Sequence, residues 1–273
     1  MVSSSDLYQI FQKINDKHPM IHHITNTVTI NDCANATLAV GGRPVMADSP
    51  EETAEMASLA SALVINIGTL NEQTIAAMKA AGKSANEHHV PVIFDPVGAG
   101  ATAYRKKTAM DLLSAFHADI ICGNMSEIKV LAGLEARGRG VDSGDSMENA
   151  DRLASELAER LGSIIAITGA VDVVSDGKRT VKLHNGDRKL ADVTGTGCMT
   201  NSLIASYAGT ANDSFKAAVG GIITMGLSGE KAACLLKETE GIGSFKVRLF
   251  DAFSTLAEED FSKAVIESVQ TVR

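Results

Sequence analysis

The sequence lacks the features that mark several common classes of protein. Its four cysteines, Cys33, Cys122, Cys198 and Cys234, lie far apart in 273 residues and form no CxxC pair. This spacing argues against a dense disulfide framework and against a structural zinc site. No apolar run approaches the roughly 18 residues that a membrane span requires, and the first residues lack a basic stretch followed by an apolar one. We therefore expect reduced thiols in a cytoplasmic protein that is neither exported nor inserted into a membrane.

Basic charge and the commonest nucleotide-binding motifs are scarce as well. The net charge of −8 and the pI near 5.4 argue against a broad surface for nucleic acid or anionic membranes, because such surfaces need clustered Lys and Arg. No GxxxxGKS or GxxxxGKT motif occurs, and Gly98-Ala-Gly100 lacks the third glycine of a dinucleotide-binding fingerprint. These absences disfavour a P-loop NTPase and an ordinary Rossmann dehydrogenase, but they allow a small anionic ligand held by a local cradle.

The residues that are present predict one large α/β domain spanning residues 1–273. Hydrophobic residues make up 45% of the chain and charged residues 21%, which suffices for a large core. Short aliphatic runs alternate with helical patterns, which is typical of a parallel sheet covered by helices on both faces. The predicted strands are 62–67, 90–95, 119–122 and 163–168. The predicted helices are 6–17, 30–40, one that starts at Ser49, 71–88, one around Leu112, and 146–161.

Three short apolar segments follow residue 170 and are separated by two turn dipeptides. The segments are 171–175, 180–184 and 188–190, and the dipeptides are Asp176-Gly177 and Asn185-Gly186. Because Asp-Gly and Asn-Gly favour tight hairpins, we predict an antiparallel meander at the edge of the sheet. The helices expected beyond it are 197–207, 214–236 and two more after Gly241. We interpret 22–26 as a loop and the Gly-rich, charged stretch 133–145 as a mobile surface loop.

The strongest local candidate for a reaction centre is Thr194-Gly195-Thr196-Gly197-Cys198, which opens an apolar helix. Glycines here would let backbone amides converge on an anion, and the helix N-terminus adds about half a positive charge. Phosphoryl transfer needs such an arrangement, because its main demand is the stabilisation of charge on the transferred oxygens. The alternative is a flexible helix entry without a ligand, and spacing alone does not separate the two.

Four motifs carry a resemblance to a known family. Asp192-Val-Thr-Gly-Thr-Gly before a polar residue at the head of a helix resembles the C-terminal signature of ribokinase-like kinases, in which that polar residue is normally the Asp base. Here the position holds Cys198. With this Cys, the chain is similar to the hydroxyethylthiazole kinase family in three further motifs. These are His23-Ile-Thr-Asn-Thr-Val28, Gly42-Arg-Pro-Val-Met46 and Asp95-Pro-Val-Gly98.

The resemblance extends over about 19–256 and implies a fold and a reaction. The implied fold is doubly wound α/β and ribokinase-like, with a mostly parallel sheet and an antiparallel edge. The implied reaction is phosphorylation of 4-methyl-5-(2-hydroxyethyl)thiazole by ATP in thiamine biosynthesis or salvage, in a cytoplasmic homotrimer with sites between subunits. The alternatives are a hydroxymethylpyrimidine kinase of the same superfamily and an ATP-binding regulatory module without catalysis.

The family match also implies which residues hold the thiazole. Asn26, Met46 and Gly68 would lie beside the ring, and Gly195 and Cys198 near its hydroxyethyl group. Two of these positions have an ordinary structural alternative, because Met often fills a core and Asn often caps the following helix.

A magnesium site is expected from two carboxylates. Asp95 ends a predicted strand, where the ligands of open α/β sheets gather, and Asn124 and Glu127 follow the next strand, three residues apart. Carboxylate and amide oxygens suit Mg²⁺, although the same spacing fits a helix-capping pair. The resemblance, in which an Asn-x-x-Glu element governs Mg²⁺ and phosphate, implies Asp95 and Glu127 as the metal ligands.

The ATP contacts implied by the resemblance are Cys122, Asn124, Thr168, Thr194 and Gly197. The family has a basic residue where this chain has Cys122, so that an Arg or Lys from a neighbouring loop would replace this contact.

Cys198 is the expected catalytic residue. Its thiol stands at a helix N-terminus, which lowers the pKa of cysteine, so we expect a weak general base for the alcohol. The alternative is a small residue selected for packing. We interpret His22, His23, His88 and His89 as structural or solvated rather than metal-binding, because no carboxylate is spaced to complete a site.

Overall fold

The computed structural model describes residues 2–134 and 149–269. These residues form a nine-stranded sheet flanked by helices. The strands are β1 Met20–Ile24, β2 Arg43–Val45, β3 Ala62–Asn66, β4 Val92–Asp95, β5 Ile120–Asn124, β6 Ile164–Thr168, β7 Asp172–Ser175, β8 Thr180–Leu183 and β9 Ile266–Ser268. The helices are α1 Ser4–Lys17, α2 Ile30–Ala39, α3 Thr53–Leu59, α4 Glu72–Glu87, α5 Ala103–Ala115, α6 Met125–Leu131, α7 Ala150–Leu161, α8 Thr196–Ala208, α9 Ser214–Cys234, α10 Ile242–Thr255 and α11 Glu258–Phe261.

The strand order is β2-β1-β3-β4-β5-β6-β7-β8-β9. All pairs from β2 to β6 are parallel, and β7, β8 and β9 are antiparallel to their neighbours. The predicted fold class, a doubly wound and mostly parallel sheet with an antiparallel edge, is therefore confirmed.

Both faces of the parallel strands are buried, which explains why the sequence of these strands is almost continuously aliphatic. Along β3, Leu63 and Ile65 belong to one hydrophobic cluster and Val64 to the other. The first cluster packs under α3 to α7, and the second under α1, α2 and α8 to α10. The sheet thus separates two cores, as period-two alternation requires.

The predicted loop at 22–26 is wrong, because most of it belongs to β1. Two histidines obscured the strand, yet both imidazoles are buried and hydrogen-bonded. His22 Nε2 lies 2.7 Å from the Ala47 carbonyl and His23 Nε2 lies 3.2 Å from Ser202 Oγ. Burial lowers the pKa of His23 to about 4, so the ring is neutral and its role is structural, as predicted.

Two further predictions at element boundaries are wrong. The helix expected to start at Ser49 begins at Thr53, because the Ser49 carbonyl accepts hydrogen bonds from Glu52 N and Thr53 N in a preceding turn. The short strand β2 was not predicted at all. Its three residues are too few for a period to be recognised.

The antiparallel edge has a different third strand from the predicted one. Residues 188–190 belong to a 3₁₀ turn, Arg188–Asp192, instead of a strand. Asn185 does not form a hairpin with Gly186, because its amide donates to Glu230 and to the Lys263 carbonyl, and its Oδ1 accepts from Val265 N. The third strand is β9, which pairs with β8.

Some predictions fall on residues that the structure does not describe. Of the predicted loop 133–145, residues 135–145 lie outside the described residues, and so do the first three residues of the predicted helix 146–161. The described part of that helix is α7. Among the described residues, no helix is both long and apolar enough to cross a membrane. All four cysteines carry free thiols.

Candidate active site

The predicted site residues gather along one edge of the sheet, at the carboxyl ends of its parallel strands. In the order of the strands from β1 to β6, these residues are Asn26, Met46, Gly68, Asp95, Asn124 and Thr168. The chain leaves β1 for β2 on one side and later returns to β3 on the other. Ligands of open α/β sheets bind at such a reversal of strand order, and the reversal here lies between β1 and β3.

Asn66, the last residue of β3, is the centre of a buried polar cluster. Its Nδ2 donates to Asp95 Oδ2 at 2.5 Å and to Cys198 Sγ at 3.2 Å. Its Oδ1 accepts from Asn26 Nδ2 at 3.0 Å and from Gly68 N at 2.9 Å. Asn26 Nδ2 also donates to Cys198 Sγ, at 3.4 Å. One carboxamide therefore connects the loops after β1, β3 and β4 with the first turn of α8.

Asn26 serves two functions in this cluster. Its Oδ1 accepts from Val28 N at 3.1 Å and from Thr29 N at 3.0 Å, which orders the turn before α2. Its amide nitrogen faces the opposite way, toward Asn66 and Cys198. The capping alternative is thus present in local form, and it fixes the side chain in the orientation that the cluster requires.

Two glycines of the predicted substrate site occupy positions with no room for a side chain. A Cβ on Gly68 would lie 2.6 Å from Asn26 Cβ and 2.9 Å from Asn66 Oδ1. Gly195 has a φ of +88°, and a Cβ on it would lie 2.5 Å from Thr29 Cγ2. Both positions require glycine, because backbone approaches the neighbouring side chains closely.

Asp95 and Glu127 are buried carboxylates of like charge. Burial and then the charge of Glu127 raise the pKa of Asp95 to about 7, although hydrogen bonds from Asn66 and Val97 N act in the opposite direction. Burial likewise raises the pKa of Glu127. Two desolvated carboxylates that repel one another favour a cation between or beside them.

The Asn124–Glu127 pair forms a capping box at the start of α6. Asn124 Oδ1 accepts from Glu127 N at 3.0 Å, and Glu127 Oε2 accepts from Asn124 N at 2.8 Å. Glu127 Oε1 also accepts from Gly98 N, at 2.8 Å, which joins this box to the loop that follows Asp95. The capping alternative is therefore confirmed, and it holds Glu127 close enough to Asp95 to raise its pKa.

The described residues contain no group of three or more His, Cys, Asp or Glu side chains arranged around a metal. Asp95 and Glu127 nevertheless fit Mg²⁺, which commonly uses one or two carboxylates and completes its shell with water and phosphate oxygens. The raised pKa of Asp95 shows a local excess of negative charge that such an ion would neutralise.

The first turn of α8 is open to an anion. Gly195 is its N-cap, and no side chain caps this helix within the part of the chain that the structure describes. A Cβ on Gly197 would meet nothing within 4 Å, and Thr194 is exposed. Uncapped amides at a helix N-terminus bind phosphate groups well, so the geometry agrees with the predicted cradle.

Cys198 differs from the expectation in its ionisation. It lies in the first turn of α8, but its thiol is 8% exposed. Burial first, and then the negative charge of Asp95, raise the pKa of Cys198. These two effects outweigh the helix N-terminus and the amides of Asn26 and Asn66, so the thiol stays protonated at neutral pH.

Cys122 has no surface to offer a nucleotide. Its side chain is 1% exposed and packs in the hydrophobic cluster on the α8 side of the sheet, so the predicted contact at this position is corrected. The two residues at the end of the same register, Asn124 and Thr168, are paired across β5 and β6 and are half-buried at the edge. Met46 is also half-buried and belongs to neither hydrophobic cluster, which argues against the core-filling alternative.

Sequence reasoning missed four residues that build this site: Asn66, Thr29, Arg105 and Asn201. Asn66 had a recognisable signal, because a polar side chain interrupts the apolar run 62–67 at the same end at which Asp95 closes its own run. Asn201 lies one helical turn after Cys198 and lowers the pKa of Asp95 through a hydrogen bond.

Comparison with solved structures defines the class of the fold. A ribokinase-like superfamily protein from Enterococcus faecalis matches with a TM-score of 0.63 over 94% of this chain and 96% of its own, at 14% identity. At this identity the likeness concerns the fold alone, and the fold is that of ribokinase-like kinases.

Stronger similarity identifies the family within that class. The model of the hydroxyethylthiazole kinase family matches residues 11–259. A hydroxyethylthiazole kinase from Alkaliphilus oremlandii is 49% identical over 264 residues, which are 96% of this chain and 97% of the relative. A hydroxyethylthiazole kinase structure from Pyrococcus horikoshii is 38% identical, with a TM-score of 0.88 over 97% of this chain and 100% of that chain. The chain therefore belongs to the hydroxyethylthiazole kinase family.

Proposed function

We propose that this protein transfers the terminal phosphoryl group of ATP to the hydroxyl of 4-methyl-5-(2-hydroxyethyl)thiazole, a step of thiamine biosynthesis or salvage in the cytoplasm. The observation that carries the proposal is the Asn66 cluster at the reversal of strand order, beside the uncapped first turn of α8. A neutral alcohol fits among amides and a thiol, and a phosphoryl group fits the open helix N-terminus. Family membership supports this choice of substrate.

The proposed division of the site follows the strands. Asn26, Met46 and Gly68 hold the thiazole, and Gly195 and Cys198 lie near its hydroxyethyl arm. Asn124, Thr168, Thr194 and Gly197 bind the phosphates of ATP. Asp95 and Glu127 hold Mg²⁺, which would neutralise the developing charge on the phosphate oxygens.

Catalysis in this proposal rests on positioning and electrostatics rather than on a strong base. The transition state of phosphoryl transfer is loose, so the attacking alcohol needs little activation before the bond to phosphorus forms. Cys198 stays a thiol and orients the alcohol, and the proton leaves late. This reverses the expectation that Cys198 acts as a base, because burial raises its pKa.

A homotrimer is also proposed, with sites between subunits. Support comes from apolar side chains at the surface near the site. Val28, which is 67% exposed, follows Asn26 directly, and Val247 on α10 is 62% exposed. A neighbouring subunit would remove them from water. Sedimentation of a monomer would contradict this part of the proposal.

The experiment that tests the proposed function compares two alcohols. Purified protein is incubated with ATP and Mg²⁺ and either hydroxyethylthiazole or hydroxymethylpyrimidine, and ADP formation is followed. We expect kcat/KM for the thiazole to exceed that for the pyrimidine by on the order of 10²-fold, and chelation of Mg²⁺ to abolish turnover. Preference for the pyrimidine would refute the substrate. Tight ATP binding without ADP formation from either alcohol would favour a regulatory module.

A further inference from the structure

Arg105, in the first turn of α5, makes an unusual set of contacts beside the site. Its Nη1 donates to the carbonyls of Ile67 at 2.8 Å and Val97 at 3.2 Å, and its Nη2 donates to the carbonyl of Gly68 at 2.5 Å. Among residues 2–134 and 149–269, every recorded partner of this guanidinium is a main-chain carbonyl. A permanently charged group that is half-buried without a carboxylate partner calls for an explanation.

These three carbonyls belong to the residues directly after β3 and β4. Ile67 N still donates to the Asp95 carbonyl at 3.2 Å, but the chain then leaves the sheet and its own carbonyls lose their strand partners. Buried main-chain carbonyls need donors. Arg105 supplies them from a single rigid, planar group, which also sets the distance between the two loops.

On the β3 side, Arg105 completes the positioning of Gly68. The amide of Gly68 donates to Asn66 Oδ1, and its carbonyl accepts from Arg105. A Cβ at Gly68 would collide with Asn26. The glycine that is proposed to lie against the thiazole is therefore held from both ends of its own residue.

On the β4 side, the same guanidinium fixes the loop between Asp95 and Glu127. Val97 N donates to Asp95 Oδ1 at 3.0 Å, and the Val97 carbonyl accepts from Arg105. The next amide, Gly98 N, donates to Glu127 Oε1. Arg105 thus acts on the loop whose amides bind both proposed metal-binding carboxylates.

The contacts indicate a geometric rather than an electrostatic role. Arg105 is not among the main groups that set the pKa of Asp95, and the pKa of Glu127 is set by burial and by the amides of Gly98 and Asn124. A charge that acted on these carboxylates from nearby would lower their pKa values. Removing the guanidinium should therefore change where the loops lie more than how the acids titrate.

We propose that Arg105 is a positioning residue that ties the thiazole-side loop at Gly68 to the metal-side loop at Val97 and Gly98. The inference rests on the proposed function. Lysine keeps the charge but cannot reach three carbonyls in one plane, so Arg105→Lys separates geometry from charge.

The test compares Arg105→Lys and Arg105→Ala with Arg160→Lys. Arg160 is a matched control, because it also donates to main-chain carbonyls, those of Leu131 and Ala132 at the end of α6, far along the chain from the two loops. We expect both Arg105 variants to lose on the order of 10²-fold in kcat/KM for the thiazole, with KM for ATP and the pH profile unchanged. Arg160→Lys should retain wild-type constants. Free guanidinium ion, below its denaturing range, should partly restore Arg105→Ala.

A second measurement does not depend on turnover. Hydrogen exchange should accelerate in residues 66–69 and 95–98 of Arg105→Lys and nowhere else. If wild type phosphorylates neither alcohol while this local acceleration is present, the proposed function fails and the positioning role stands. Wild-type kinetics and exchange in Arg105→Lys would overturn the inference, and so would losses spread evenly over both substrates and the whole chain.

Discussion

The two halves of the carboxyl edge of the sheet are built differently. At the β1–β3–β4 half, Asn26, Asn66 and Asp95 are buried and hydrogen-bonded to one another. At the β5–β6 half, Asn124 and Thr168 are half-buried, and the neighbouring first turn of α8 has open space at Gly197. The first half is a closed network, and the second is a surface ready for a ligand.

The difference teaches how one edge can serve two ligands. A small neutral alcohol offers few groups to recognise, so the protein positions its partners in advance and retains the cost of burying them. A triphosphate brings its own charges and a metal ion, and open amides are enough to bind it. The closed half should therefore tolerate change poorly and control the alcohol, whereas the open half should control the nucleotide.

Asp95→Asn is the largest expected effect, and it tests whether the closed half is as buried as described. Burial raises the pKa of Asp95 from 3.8 to about 7, so the folded state keeps a proton that the unfolded chain has released. The stability from this proton is complete below about pH 4 and is lost as the pH rises to about 7, a change on the order of 3 to 4 kcal/mol. Urea denaturation between these pH values, without metal or nucleotide, measures it.

The variant cannot titrate at this position, so its unfolding free energy should gain on that of wild type as the pH rises through this window. Asp251→Asn is the control, because Asp251 is exposed on α10. Its stability should run parallel to that of wild type. A constant offset between Asp95→Asn and wild type at every pH would contradict the burial of this carboxyl.

A pair of glycine variants tests the division between the halves. Gly68→Ala places a Cβ 2.6 Å from Asn26 Cβ and should lower kcat/KM for the thiazole on the order of 10²-fold, with KM for ATP almost unchanged. Gly197→Ala meets nothing within 4 Å, so the protein should fold normally. Its methyl group should nevertheless obstruct the phosphates and raise KM for ATP about tenfold.

Gly243→Ala, in the first turn of α10, also meets nothing within 4 Å and should leave both KM values as they are. The comparison fails if Gly68→Ala acts mainly on ATP, or if Gly197→Ala acts mainly on the thiazole. Initial rates with each substrate varied in turn give all four constants.

Cys198→Ser is the smallest expected effect. The serine hydroxyl can accept from Asn26 and Asn66 in place of the thiol, and because burial keeps the thiol protonated, no base is lost. We expect kcat within about threefold of wild type with the same pH profile. A fall of 10²-fold or more, in the range of general-base catalysis, would restore the thiolate that the burial of Cys198 argues against.

The central fold was predictable because its strands are long enough and apolar enough to be recognised. β3 to β6 and the helices between them follow from alternation alone. The strands that escaped are of two kinds. β1 contains two buried histidines, whose hydrogen bonds come from distant residues, and β2 and β9 are three residues long. Neither kind leaves a local signal.

The site was predictable to the extent that each residue stands at the end of a strand. Asp95 and Asn124 were found in this way. Asn66 was missed because its importance comes from the partners that the fold brings to it, and Arg105 because its partners are carbonyls, which carry no mark in a sequence. The ionisation of Cys198 was misjudged for the same reason, since its burial depends on residues from three other elements.

The order in which the sheet is completed follows from β9. β8 pairs with β9, so that Val181 waits for Ser268, and three long helices are synthesised between them. A nascent chain therefore carries an open strand edge through most of the last third of its translation. Open edges recruit other strands, which makes this interval the one in which crowding of incomplete chains is most harmful, and in which a chaperone would bring the greatest benefit.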